Sequence, residues 1–278
     1  MFKNLKDINW KEVTRVSMWT VVIVGFLITV GFTEKRQSEM LCTEVNIAIN
    51  DSHDHAFVEK GDVMQTIQDK FGTLEGKPLH SINISLLENI INNNPFVSHA
   101  EVFSTIDGKL NIEVVPRNPI VRIINHFDEN FYVDDEGVFM PLSDKYSASV
   151  PVANGFIYEK EAGGKVRAMK ENAVNDTSFH PLAIEKVYML ADYIRHHEFW
   201  NEQVQQVFVN EDGDMELIPR VGNHTIIFGD EKEMDKKFNK LFLFYKEGLS
   251  KQGWDKYSAI NLKFKDQVVC TKKITNGK

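Results

Sequence analysis

The chain has 278 residues, room for one or two domains. Its 32 basic and 40 acidic residues give a formal net charge of -8, which argues against nucleic-acid binding because phosphates need a basic face. Two cysteines, Cys42 and Cys270, are too few for a disulfide scaffold, and no bridge is expected between them.

No charged residue occurs from Val16 to Thr33. That run of 18 residues exceeds the roughly 17 that a membrane span needs at minimum. Lipid offers backbone amides no partner, so the span must be helical. Trp10 and Trp19 lie near its inner boundary. Lys3, Lys6, Lys11 and Arg15 precede it, against Lys35 and Arg36 beyond, which places the N-terminus inside. A cleaved signal peptide would have a shorter apolar core and a small-x-small site, and Gly31-Phe32-Thr33-Glu34 is a poor one. The expectation is a cytoplasmic tail over 1–15, a transmembrane helix over 16–33 and a linker over 34–43.

Beyond the linker, Val45, Ile47 and Ile49 alternate as in a strand. Val63, Ile67 and Phe71 share one helix face. The spacing of Ser85 and Glu88 suggests a capping box for a second helix, with Leu86, Leu87, Ile90 and Ile91 buried and Pro95 ending it. HAEVFST and KLNIEVV follow as strands, joined at Ile106-Asp107-Gly108, a hairpin signal. The order is strand, helix, helix, strand, strand. Pro116-Arg117-Asn118-Pro119 reads as a domain boundary.

The second part is richer in strands: PIVRIIN, NFYVDDEG and VFMPLS come first. Residues 158–181 show little periodicity and read as a surface excursion. Ile184, Val187, Tyr188, Ala191 and Ile194 mark a helix. VQQVFVN, DMELIPRV and HTIIFGD are strands, and Met234, Phe238, Leu241, Phe242, Tyr245 and Leu249 mark a long amphipathic helix. YSAINLKFK and QVVCTKK close the chain as a strand pair turned at Lys265-Asp266. The fold class is α+β.

Catalytic chemistry finds little support. His53-Asp54-His55 sits in a polar bend with no further ligand at a metal-binding spacing. His196-His197 suits the C-terminal end of a helix. Asp134, Asp135 and Glu136 precede Gly137 and suit a turn. GxSxG, HExxH, P-loop and GxGxxG motifs are absent. The chain is therefore not expected to be an enzyme, and no cofactor is expected.

This order of elements and several segments resemble the FtsQ/DivIB family of bacterial cell-division proteins. The first domain, 44–116, is similar to a POTRA domain. Asn94-Pro95-Phe96-Val97 and Arg117-Asn118-Pro119 resemble family motifs, as does the turn from Val133-Asp134 to Gly137. Leu262-Lys263-Phe264 stands where a Leu-Arg-Tyr-like triplet is usual, and Asn261 replaces the usual Asp. The resemblance implies a β-domain over 117–271, a short tail over 272–278, and a divisome scaffold in the cell inner membrane at the septum. It also implies FtsB-like and FtsL-like partners, other division proteins at the POTRA domain, and control of septal peptidoglycan synthesis. Partner binding would fall on the last strands: Asn261, Lys263, Phe264, Gln267, Val268, Val269 and Cys270. Val269 is the expected site of a free backbone donor, and Phe264 the expected anchor. The rival reading is an envelope transport or assembly factor that uses its POTRA domain on clients.

Overall fold

The computed structural model describes residues 14–26, 40–51, 57–160, 166 and 181–273. Helix α1 covers residues 14–26. Among the described residues no helix is long and apolar enough to cross a membrane. Positions 27–33 of the expected span lie outside the described residues, as do His53-Asp54-His55 and most of 158–181. Two compact units emerge: Met1–Asn50 with Glu59–Val115, and Asp51–Val58 with Pro116–Lys278.

The first unit contains β1 (Glu44–Ile49), α2 (Lys60–Phe71), α3 (Ile84–Asn92), β2 (Val97–Ser104) and β3 (Lys109–Pro116). Its sheet has the order β1-β3-β2. β1 lies parallel to β3, with Val45 opposite Leu110 and Ile47 opposite Ile112. Leu110, Ile112 and Val114 of the central strand are fully buried, and Val63 and Ile67 of α2 and Leu87 and Ile91 of α3 are buried too. Leu86 is exposed, contrary to the expected four-residue face. The inward stripe of so short a helix holds only the i, i+4 pair. The cap also differs from expectation: Asn83, not Ser85, accepts the Leu86 N–H, at 3.0 Å. Asn caps as well as Ser, and this start puts Glu88 too deep in the helix to close a box. Glu88 instead accepts the Val102 N–H at 3.3 Å, and Asn92 both accepts from Ala100 N–H at 2.8 Å and donates to its carbonyl at 3.2 Å. The hairpin turn requires Gly108: φ is +88°, and a Cβ there would lie 2.8 Å from the Leu41 carbonyl oxygen.

The second unit contains β4 (Pro119–Ile124), β5 (Asn130–Asp134), β6 (Phe139–Pro141), β7 (Val152–Gly155), α4 (Ala183–Arg195) and α5 (Glu198–Gln203). Then come β8 (Val204–Val209), β9 (Met215–Pro219), β10 (Thr225–Gly229), α6 (Met234–Leu243), α7 (Ser250–Gln252), β11 (Tyr257–Asn261) and β12 (Val269–Lys272). One open nine-stranded sheet runs β12-β11-β10-β9-β8-β7-β4-β5-β6. β7 was not foreseen in the sequence. It lies parallel to both β4 and β8, and a Cβ on its Gly155 would stand 2.2 Å from the Val209 carbonyl oxygen. The helices supply Ile184, Val187, Leu190, Phe238, Leu241, Tyr245 and Leu249 to the core. Phe242, expected in that stripe, is exposed and packs edge-on against Phe199, 5.3 Å between centroids. Between α6 and α7 the backbone passes through a π-helical segment, Phe244–Leu249. The two histidines cap α4 as expected: His196 Nδ1 lies 2.6 Å from the Asp192 carbonyl oxygen and His197 Nδ1 2.7 Å from that of Tyr193.

The Pro116–Pro119 segment is fastened to the turn after β5. Arg117 donates to Asp134 at 2.7 Å. The other Asp134 oxygen accepts the N–H groups of Glu136 at 3.0 Å and Val138 at 2.6 Å. Asp134 is fully buried and Arg117 largely so. The acidic triplet is thus turn and junction chemistry, which explains why the two motifs occur together.

Candidate partner-binding edge

Every expected partner-binding residue falls on β11, β12 or the connection between them. Among the described residues β12 is an edge strand, paired on one side only, antiparallel to β11. Backbone groups of a strand alternate in direction, so its free side can be assigned. Leu262 donates to Ile227 of β10 at 2.9 Å, which turns Asn261 and Ala259 toward β12. Their partners are Val269 and Thr271, and Lys273 also donates inward, to Lys256, at 3.1 Å. The open groups therefore belong to Cys270 and Lys272. This corrects the expectation for Val269, whose N–H faces β11; sequence cannot fix the parity, because it is set by which side of β11 pairs with β10, a contact between segments distant in the chain.

The connection is held rigidly at its apolar start and open at its tip. Leu262 is buried. Lys240 of α6 donates from Nζ to the carbonyls of Leu262 at 3.0 Å and Phe264 at 2.7 Å. Asn261 accepts the Lys263 N–H at 2.9 Å. Asp266 takes φ +57° at the turn. The Phe264 side chain is 46% exposed, so it is not a core residue. Lys263 is paired with Asp214, and that hydrogen bond and charge hold its ammonium above the usual lysine range. Val268 and Cys270 are half-buried against the core, whereas Val269 is exposed. Burial pushes the Cys270 thiol up, which keeps it protonated and a poor nucleophile. Both cysteines are free. Near the end of β12, His224 Nε2 lies 3.0 Å from the Tyr245 hydroxyl, and burial, with the Lys273 charge, pulls the His224 pKa down. Lys240, Asp214 and His224 escaped the sequence reading, since they join the site from other elements and no local pattern marks them.

Other strand edges offer less. β6 has three residues and ends in Pro141, and short edges with proline resist pairing. On β2, Asn92 occupies the outward backbone groups of Ala100 and Glu88 the Val102 N–H. β1 remains, with its outer side unpaired among the described residues. Among the described residues no cluster of His, Cys, Asp and Glu could hold a metal.

A βααββ unit followed by an open sheet with a single well-presented terminal edge defines a POTRA-like module joined to a β-domain. Residues 40–115 match the family described as POTRA-like domain. Residues 118–271 match the one described as FtsQ/DivIB, C-terminal related, and the chain belongs to that family. Among curated relatives, the cell division protein DivIB of Clostridium tetani is 23% identical over 265 residues, covering 90% of this chain and 85% of the relative. The cell division protein FtsQ of Geotalea daltonii is 23% identical over 210 residues, 75% of this chain and 70% of the relative.

Proposed function

We propose that this chain is a non-enzymatic scaffold of the division machinery whose β12 edge receives a strand from a bitopic partner of the FtsB or FtsL kind. The observation that carries the reading is the open edge at Cys270 and Lys272, in a chain whose relatives are named cell division proteins. An edge strand gives affinity through backbone bonds and selectivity through flanking side chains. Exposed Phe264 is the anchor beside it, and Lys272 and Lys273 favour a partner bearing carboxylates. Unpaired β1 is the corresponding edge of the POTRA-like unit for other division proteins. Segment Val16–Thr33 holds the chain in the inner membrane, with 1–15 cytoplasmic, 44–116 and 117–271 outside as the two functional domains, and septal wall synthesis as the process controlled.

The test is a fluorescent fusion at Met1 in dividing cells, with a reporter after Lys278 read on both sides of the membrane. Septal enrichment with an external reporter is expected. Uniform envelope fluorescence would sink the division reading, and a cytoplasmic reporter the topology.

A further inference from the structure

The POTRA-like unit has an apolar pole that the β12 reading leaves unused. A cavity of about 640 Å³ opens there, lined by Met40, Leu79, Ile82 and Ile106 among others, with no Asp, Glu, Lys or Arg among the described residues that line it. Ile106 stands at the tip of the β2–β3 hairpin and is 94% exposed, and Leu41 is exposed beside it. Hairpin tips ordinarily carry Gly, Asn or Asp, so a bare aliphatic side chain there is out of place in water.

This pole is also where the chain enters the unit. Thr43 donates to the Gly108 carbonyl at 2.9 Å, and Leu79 donates to that of Met40 at 2.8 Å. Leu41 forms a bridge with Pro78. Residues 40–43 are thus stitched to the hairpin turn on one side and to the segment Pro78-Leu79 on the other.

We infer that this pole rests on the bilayer, with the Ile106 tip inserted among the lipid headgroups. The inference rests on the anchor proposed above. Met40 follows Thr33 by seven residues, which span at most about 25 Å when fully extended. Part of that length crosses the headgroup layer, about 5–8 Å deep per leaflet. The tether makes contact intramolecular, so a weak insertion suffices at the high effective concentration it imposes. The polar groups around the cavity, His80, Asn83, Ser85, Ser104 and Thr105, suit headgroup level. Asp107 beside the tip is held by the Thr105 hydroxyl and faces the Lys109 charge, which keeps its carboxyl below the usual range. It stays ionised at the rim rather than entering hydrocarbon. The length and end-point of the tether favour a lipid surface over a soluble protein as the occupant.

The full-length chain is placed in nanodiscs of phosphatidylethanolamine and phosphatidylglycerol, in a Cys42→Ala, Cys270→Ser background. A fluorophore is attached at Ile106→Cys, at Val22→Cys for the anchor, or at His99→Cys as an aqueous control. Spin-labelled lipid should quench the labels at 106 and 22 but not at 99, and iodide should show the reverse order. Because the label itself is apolar, a Leu41→Cys probe is read with and without Ile106→Asp, and lipid quenching should be lost with the aspartate. Iodide quenching at 106 equal to that at 99, with 22 protected, overturns the insertion and leaves the anchor standing. Iodide access at 22 overturns the anchor reading and this one with it. A label at 106 shielded from both quenchers means that polypeptide covers the tip, which also refutes lipid contact.

Discussion

Two proline substitutions on neighbouring residues separate the outward from the inward side of β12. Cys270→Pro removes a donor that faces the open edge; Val269→Pro removes one that faces β11. Proline is tolerated on an edge strand where its missing N–H faced solvent. The Cys270 variant should therefore keep its fold. Against a docked strand it forfeits one backbone bond, about 0.5–1.5 kcal/mol net. Its ring also intrudes on a neighbour that would lie about 4.7–4.9 Å away. The sum is an affinity loss of at least about tenfold, or 1.4 kcal/mol. The Val269 variant instead leaves the Asn261 carbonyl without its ladder partner and should lower unfolding free energy by about 1–3 kcal/mol. Thermal melts followed by circular dichroism give the stability arm. Capture of an FtsB-like partner from membranes, at equal expression, gives the binding arm, with Cys270→Ala controlling for the thiol. The assignment fails if Val269→Pro alone abolishes capture without lowering the melt. It fails more broadly if neither proline reduces capture, and β1 then becomes the edge to test.

Phe264→Ala should leave the melting temperature unchanged, because the ring is exposed, and should weaken partner capture by about 2 kcal/mol if it is a hot spot; unchanged titrations would remove it from the interface. Arg117→Ala strands a buried Asp134 charge, so urea unfolding should show a loss of about 3–5 kcal/mol, partly restored in Arg117→Ala/Asp134→Asn; a loss below 1 kcal/mol, within the range typical of an exposed pair, would show that the pair is solvated. His224 has a folded pKa below its ordinary value near 6.5. The unfolded chain therefore binds the proton first, and stability should fall as pH drops from above 6.5 toward the folded pKa. Melts at closely spaced pH values should show a shallower acid slope in His224→Gln, and an identical slope would rule the residue out.

What could be read from sequence follows period and punctuation. β1, α2, the β2–β3 hairpin and the β8–β10 strands carry strict apolar spacing bounded by Gly, Pro or Asp, and each formed. β7 escaped because Val152 is its one strand former and Ala, Asn and Gly follow it; its place is dictated by β4 and β8 on either side. α5 was missed because it begins directly after the histidines that close α4. The terminal edge was legible in outline, since QVVC followed a tight turn. Its hydrogen-bonding parity was not, because the side of β11 that pairs with β10 decides it. The clamp from Lys240 and the pairing of Lys263 with Asp214 join residues distant in sequence, and periodicity carries no information about such pairs.

The side chains of Asn92 and Glu88 along β2 bear on crowding. Proteins confined to one film collide with their own copies far more often than free ones do, and any bare strand margin is then an invitation to zip together. By spending two helix side chains on the backbone of Ala100 and Val102, the chain makes that margin slippery to its neighbours. Under the proposed reading, self-stacking through this margin is disfavoured, and the covered and bare edges together would act as an address system for incoming strands.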